Sequence, residues 1–202
     1  MKPVFSAKQF HYSVVALALM NLCAVRAVAQ DSHAHRDTMR QQELTMDQKN
    51  KASALMKIVR ESTERFKDVS AAVREGYALQ FGCVSGADSG AMGLHYVNGA
   101  LVGSAVIDAT HPQIVIYEPM PNGGVKLIGA DYLVLADTWN AQHPEGPPQL
   151  MGQLFHYFES PNRFGLPAFY TLHVWAWKDN PRGAFVNWHP NVSCVPFTGQ
   201  TP

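Results

Sequence analysis

Side chains that could bind a metal ion recur in the second half of this chain. His95, Glu118 and His173 each lie in a short apolar or alternating run that is typical of a β-strand. Neutral imidazoles combined with a carboxylate are the ligands of Zn, Fe, Mn or Cu in proteins. The spacing matches no compact signature such as HExxH. We therefore predict a divalent transition-metal site that the fold assembles from His95, Glu118 and His173, with His156 as a further ligand.

The run at residues 170–177 alternates cleanly between two kinds of side chain. Residues 172, 174 and 176 are aliphatic, which suits the side packed against a helix, whereas His173, Trp175 and Trp177 point the other way. We expect the two tryptophans to line the ligand pocket. Asp131 interrupts an otherwise apolar row and is expected in the same pocket. If the site is catalytic, we expect His156 or Asp131 to be the proton-transfer group.

Two other functions remain open at this stage. The aromatic and histidine residues could line a metal-free pocket that binds a small apolar or sugar ligand. Alternatively, the chain is a structural or interaction protein in which the histidines have no chemical role. His111 and His143 each precede a proline and are expected at the surface, whereas His156 and His189 could either approach the site or lie in surface loops.

The elements that must position these side chains begin with a helix. Thr45 and Gln48 form a capping-box pattern. Apolar residues at steps of three and four follow, from Leu55 to Val73, and Gly76 is a suitable end for a helix.

Short strands follow, separated by Gly, Pro, Asn and Asp. We predict strands at residues 93–98, 114–118, 125–135, 168–178 and 184–188. The tight connection at 119–124 requires antiparallel pairing. Residues 137–167 form either a functional flap or a segment that contains a small helix. The predicted fold class is α+β, with one long N-terminal helix packed on a twisted antiparallel sheet or partial barrel.

The first 29 residues have the features of an export signal: basic residues, an apolar run and a small-x-small cleavage site at 27–29. Residues 30–44 are polar and are expected to be a disordered lead-in, which leaves a single domain at 45–202. No later apolar segment is long enough to cross a bilayer. We therefore expect a periplasmic or secreted protein without stable membrane insertion after signal removal.

Export places Cys83 and Cys194 in an oxidising compartment, where a disulfide between them is the expected state. Closing a loop of about 110 residues would stabilise the fold by about 4–5 kcal/mol in the chain-entropy model. Metal ligation or redox chemistry by the two thiols is the alternative, which no CxxC spacing supports.

The charge of the chain argues against a nucleic-acid partner. The full chain has 16 basic and 16 acidic residues, and removing Lys2, Lys8 and Arg26 with the signal leaves 13 basic residues against 16 acidic ones. No basic surface is predicted that could neutralise phosphates. The expected partner is a small molecule or a metal ion.

Four runs in the chain carry a resemblance to other proteins. They are Met92 to Asn98 (MGLHYVN), Tyr117 to Pro119, Leu172 to Trp177 (LHVWAW) and Asn187 to Cys194. The chain resembles a group of exported bacterial hypothetical proteins to which no activity is attached. The resemblance implies export and assigns no functional residue.

Overall fold

A helical layer opens the part of the chain that the computed structural model describes, residues 44–199. Helix α1 (Met46–Thr63) begins with the predicted capping box, in which Thr45 and Gln48 exchange side-chain and backbone hydrogen bonds. A 3-10 turn (Glu64–Lys67) and helix α2 (Val69–Arg74) follow. The helix expected to continue to Gly76 is thus interrupted. The Asp68 side chain starts the new helix by accepting a hydrogen bond from the Ser70 backbone N–H.

The sheet contains six strands: β1 (Ala78–Gly86), β2 (Gly90–Val97), β3 (Ile114–Pro119), β4 (Val125–Leu135), β7 (His156–Phe158) and β8 (Phe169–Val174). Their spatial order is β1-β2-β3-β4-β8-β7, and every neighbouring pair is antiparallel. The sheet is curled into a half-barrel, so the predicted α+β fold is confirmed.

The remaining elements lie in the connections. Helix α3 (Gly99–Ser104) joins β2 to β3, and helix α4 (Ala136–Gln142) follows β4. A two-stranded hairpin of β5 (Gln149–Leu150) and β6 (Gln153–Leu154) comes next. The predicted flap at 137–167 therefore contains a helix and short strands.

Two predicted strands differ from the observed ones. The run expected at 168–178 ends as a strand at Val174, and residues 184–188 form no strand. Sequence analysis placed no strand before residue 93, yet β1 pairs with β2. Phe81 and Gly82 both have positive φ angles and form a bulge that hides the alternation of β1.

The helical layer covers one face of the sheet. Leu55 and Val59 of α1 pack against Tyr132, Leu172 and Val174, so the aliphatic side of the run at 170–177 meets the helix as predicted. A second apolar cluster, centred on Ile116, Phe169 and Trp175, occupies the opposite face. The candidate functional side chains lie on that second face, which we call the site face.

The predicted disulfide between Cys83 and Cys194 is confirmed, with a Cα–Cα distance of 5.7 Å. It joins β1 to the C-terminal segment across 111 residues of sequence. Among the helices of residues 44–199, none is long and apolar enough to cross a membrane. The predicted signal sequence and nearly all of the predicted lead-in, residues 1–43, lie outside the described residues.

Candidate metal centre

Strand register brings two histidines and one aspartate together on the site face. Asp131 of β4 lies opposite Ile114 of β3 on one side and opposite His173 of β8 on the other. His95 of β2 lies opposite Ile116 of β3. Directly opposed residues in a sheet point to the same face. His95, Asp131 and His173 therefore each offer a ligand atom, and these atoms lie within 4.8 Å of one another.

All three side chains are removed from water. Their exposed fractions are 5% for His95, 2% for Asp131 and 3% for His173. The rings of His95 and His173 meet edge to face, with centroids 5.7 Å apart. A group that holds one carboxylate and two imidazoles in the protein interior is costly unless its members are paired or bind an ion.

Burial sets the protonation states of this group. Desolvation lowers the pKa of His95 to about 4 and that of His173 to about 3. Desolvation also raises the pKa of Asp131 to about 6, although His95 and a hydrogen bond from Thr171 oppose the rise. At pH 7 the imidazoles are thus neutral and the carboxylate is mainly ionised, which are the forms that bind metal ions.

Hydrogen bonds around the group orient two of its members. Nδ1 of His95 donates to the carbonyl oxygen of Gly93 at 3.2 Å, which leaves Nε2 as the nitrogen with a lone pair. The hydroxyl of Thr171 donates to Oδ1 of Asp131 at 2.5 Å. Gly93 has a φ of +91°, and a Cβ at this position would lie 2.5 Å from the Tyr117 carbonyl oxygen. A glycine is therefore required where the backbone supports His95.

His173 differs because neither of its ring nitrogens has a hydrogen-bond partner. Its Nδ1 is 3.6 Å from Oδ1 of Asp131, which is too long for a hydrogen bond. The side chain of Asn187 is near enough to His173 to oppose the lowering of its pKa. The two side chains do not meet the geometry of a hydrogen bond, because Asn187 Oδ1 and both ring nitrogens have no partner. Buried polar atoms without partners are rare, so the two nitrogens of His173 require an explanation.

The group lies at the base of a pocket with apolar walls. Its polar lining consists of His95, Asp131, His173 and Thr171. The apolar lining residues are Phe81, Met92, Ile114, Leu133, Phe158, Phe164, Leu166 and Phe169. The pocket encloses about 340 Å³ of empty space when the part open to solvent is included. The volume that the centre of a water-sized molecule can occupy is much smaller, about 30 Å³. That volume is enough for an ion with one or two small molecules.

The structure does not bring Glu118 to this group, and the predicted ligand set must be corrected. Glu118 shares the site face with Ile114, but the two residues are four positions apart along β3, which corresponds to about 13 Å. Asp131 lies opposite Ile114 and supplies the carboxylate instead. Glu118 forms an ion pair with Lys178, whose Nζ is 2.8 Å and 2.6 Å from its two carboxylate oxygens.

The two tryptophans that were expected in the pocket lie in different parts of the fold. Trp175 is buried beside the group, with its ring centroid 5.7 Å from that of His173, and its indole N–H donates to Val186. The position predicted for Trp177 is wrong, because its indole N–H donates to Thr63 at the end of α1. The strand ends at Val174, so the alternation that predicted a shared face does not continue to Trp177.

The other four histidines of residues 44–199 lie outside the group. His156 lies opposite Thr171 on the site face, where its charged form would lower the pKa of His173. Its side chain is exposed, and its Nε2 donates a hydrogen bond to the carbonyl oxygen of Phe185. His189 is buried against Trp175 and pairs through its backbone with Ala91. His111 is exposed and His143 is half-buried, and the Nδ1 of each lies within hydrogen-bond distance of a nearby carboxylate oxygen, of Asp108 and Glu145 respectively.

Comparison of the chain with protein-family models, with curated proteins and with solved structures finds no match. The function is therefore argued from the geometry and chemistry of the group itself.

Proposed function

We propose that the chain is an exported domain that binds one divalent transition-metal ion through His95, Asp131 and His173. The observation that carries the proposal is the pair of unpartnered nitrogens on His173, in a buried group whose ligand atoms lie within 4.8 Å of one another. A cation at this point would give His173 a partner and would compensate the charge of Asp131.

The surroundings of the ligands support this role. Metal-binding histidines usually donate their second ring N–H to a carbonyl or carboxylate, and ligating carboxylates accept further hydrogen bonds. His95 has this relationship with Gly93, and Asp131 has it with Thr171.

The donor set narrows the choice of metal. Two imidazole nitrogens and one carboxylate oxygen suit Zn, Fe, Mn or Cu, and the same set with open positions is typical of non-haem Fe(II) sites. Three protein ligands leave at least one position free on a four-coordinate ion. Any chemistry at the site would take place at such an open position, facing the pocket.

Export is the second part of the proposal. The Cys83–Cys194 disulfide is compatible with an oxidising compartment, and the sequence of residues 1–29 has the pattern of an export signal. In a periplasmic or secreted location, the domain would bind its metal ion after it has crossed the membrane.

Metal analysis of untagged protein that begins at Gln30 tests the proposal. The protein is incubated separately with Zn, Fe(II), Mn and Cu(II), dialysed, and analysed for bound metal. We expect one ion per chain for at least one metal, and a loss of affinity of about 100-fold or more in Asp131→Asn and His173→Gln. The exposed residue His111 provides the matched control His111→Gln, which should bind like the wild type.

Two results would overturn the proposal. One is the absence of stoichiometric binding for all four metals by protein whose circular dichroism shows a folded chain. The other is binding that Asp131→Asn and His173→Gln leave unchanged.

A metal-free binding module is the second candidate, because eight of the twelve pocket-lining residues are apolar. It predicts that small organic molecules change the Trp175 fluorescence while none of the four metals binds.

A further inference from the structure

We propose that the pocket restricts the metal to ligands of only a few atoms with a single negative charge, such as azide, formate or hydroperoxide. This inference rests on the proposed metal site and adds the class of ligand that the site would accept.

The size of the pocket gives the first argument. About 30 Å³ is available to the centre of a water-sized molecule, and each water needs about 10–15 Å³ on this measure. A cavity that accepts benzene in another protein has about 150 Å³. A diatomic or triatomic ligand therefore fits beside the metal, whereas a ligand with an aromatic ring does not.

Charge gives the second argument. Among the described residues that line the pocket, Asp131 is the only acid, and histidines bind a metal ion in their neutral form. A divalent ion bound by one carboxylate and two neutral imidazoles leaves a net charge of +1. Uncompensated charge in a low-dielectric interior is costly, so a monoanion is the ligand that completes the site. Hydroxide formed from a metal-bound water satisfies the same condition when no other anion is present.

The entrance of the pocket explains how larger molecules are excluded. Phe81, Phe158, Phe164 and Leu166 are half-buried, whereas the residues at the base are buried, so these four side chains stand between solvent and the metal ligands. The rings of Phe81 and Phe164 meet edge to face with centroids 5.4 Å apart. We call these four residues the aromatic entrance.

Phe81 holds its place in the entrance with an unusual backbone. Its φ is +64°, a conformation that costs a non-glycine residue about 1 kcal/mol or more. Gly82 beside it, at +61°, adopts the same region without that cost. The bulge formed by these two residues directs a phenylalanine into the pocket lining, which is consistent with a role for its side chain at the entrance.

Cobalt provides the test because Co(II) reports changes of its ligands in visible absorption. Co(II)-loaded protein is titrated with azide, formate, formamide and benzoate. Azide and formate should change the spectrum in a saturable way. Formamide has nearly the size of formate but no charge, and we expect it to bind at least about tenfold more weakly. Benzoate carries the charge but is too large, and we expect no spectral change from it.

Widening the entrance should remove the size limit alone. Phe81→Gly suits the local backbone and deletes one wall, so benzoate should then change the spectrum of the Co(II)-loaded variant. Phe164→Ala, which removes the ring facing Phe81, provides a second widened variant if Phe81→Gly does not fold.

The outcomes separate this inference from the metal site itself. An intact Co(II) spectrum that responds to benzoate as strongly as to azide, or to formamide as strongly as to formate, overturns the ligand class and leaves the metal site in place. A widened variant that binds azide but still excludes benzoate also overturns it. If the protein binds neither cobalt nor any of the four metals above, both proposals are wrong.

Discussion

Asp131 and His173 face each other on the neighbouring strands β4 and β8, yet Nδ1 of His173 lies 3.6 Å from Oδ1 of Asp131 and forms no hydrogen bond with it. Both side chains are buried. This separation leaves room for a cation that both groups could bind.

Replacing Asp131 with Asn should stabilise the metal-free protein. Burial raises the pKa of Asp131 to about 6, which means that the ionised carboxylate is less favourable in the folded than in the unfolded chain. At pH 7 we expect Asp131→Asn to raise the free energy of unfolding by about 1–3 kcal/mol in the presence of a chelator. Urea denaturation measures the change, with Glu159→Gln at an exposed position as the control. A destabilised Asp131→Asn would contradict this account of the carboxylate.

Lowering the pH should reduce the stability advantage of Asp131→Asn over the wild type. The pKa of Asp131 is raised to about 6, so its protonation favours the folded chain between about pH 4 and pH 6. The pKa values of His95 and His173 are lowered to about 4 and about 3, so protonation of these histidines favours the unfolded chain as the pH falls below about 6.5. In Asp131→Asn only the histidine contribution remains, so its stability should fall more steeply on acidification than that of the wild type.

Urea denaturation of both metal-free proteins between pH 7 and pH 4 measures this difference. The stability gap should narrow as pH falls. A gap that stays constant over this range would show that Asp131 does not titrate as its burial predicts.

Replacing Glu118 with Gln separates the observed metal ligands from the one predicted from sequence. Lys178 donates to both oxygens of Glu118 and to the carbonyl oxygen of Asn191 in a half-buried position. Glu118→Gln should cost about 1–2 kcal/mol of stability because it weakens this charged pair. Metal stoichiometry should not change, and a loss of metal without unfolding would return Glu118 to the ligand set.

Reducing the disulfide should destabilise the domain without removing the metal ligands. Cys83 and Cys194 close a loop across 111 residues, and the chain-entropy model gives about 4–5 kcal/mol for a loop of this length. Dithiothreitol should lower the free energy of unfolding of the wild type by a similar amount. The double variant Cys83→Ala/Cys194→Ala should already have the lower stability and should not respond to the reductant.

Local patterns in the sequence predicted much of the fold. The capping box at Thr45, strand β4 at residues 125–135, the aliphatic side of β8 and the disulfide all follow from nearest-neighbour rules or from cysteine chemistry. Strand β1 was not predicted. Its pairing with β2 is interrupted by a bulge at Phe81 and Gly82, and the local sequence does not specify where such a bulge forms.

The site was predicted in part for a related reason. His95 and His173 could be found from their strands, but the choice between Glu118 and Asp131 depends on register. The tight β3–β4 connection places Glu118 opposite Lys126, near the turn, and Asp131 near the far end of the hairpin. That relationship could be read from the sequence. The pairing of Asp131 with His173 across a long connection could not.

Anomalous diffraction from crystals grown with zinc tests the central claim most directly. Data collected on both sides of the zinc absorption edge locate the ion without assumptions about its ligands. We predict one strong peak on the site face, about 2.0–2.2 Å from a nitrogen of His95, a nitrogen of His173 and a carboxylate oxygen of Asp131. A peak bound by other side chains, or a zinc-saturated crystal in which these three residues contact no metal, would contradict the proposed function.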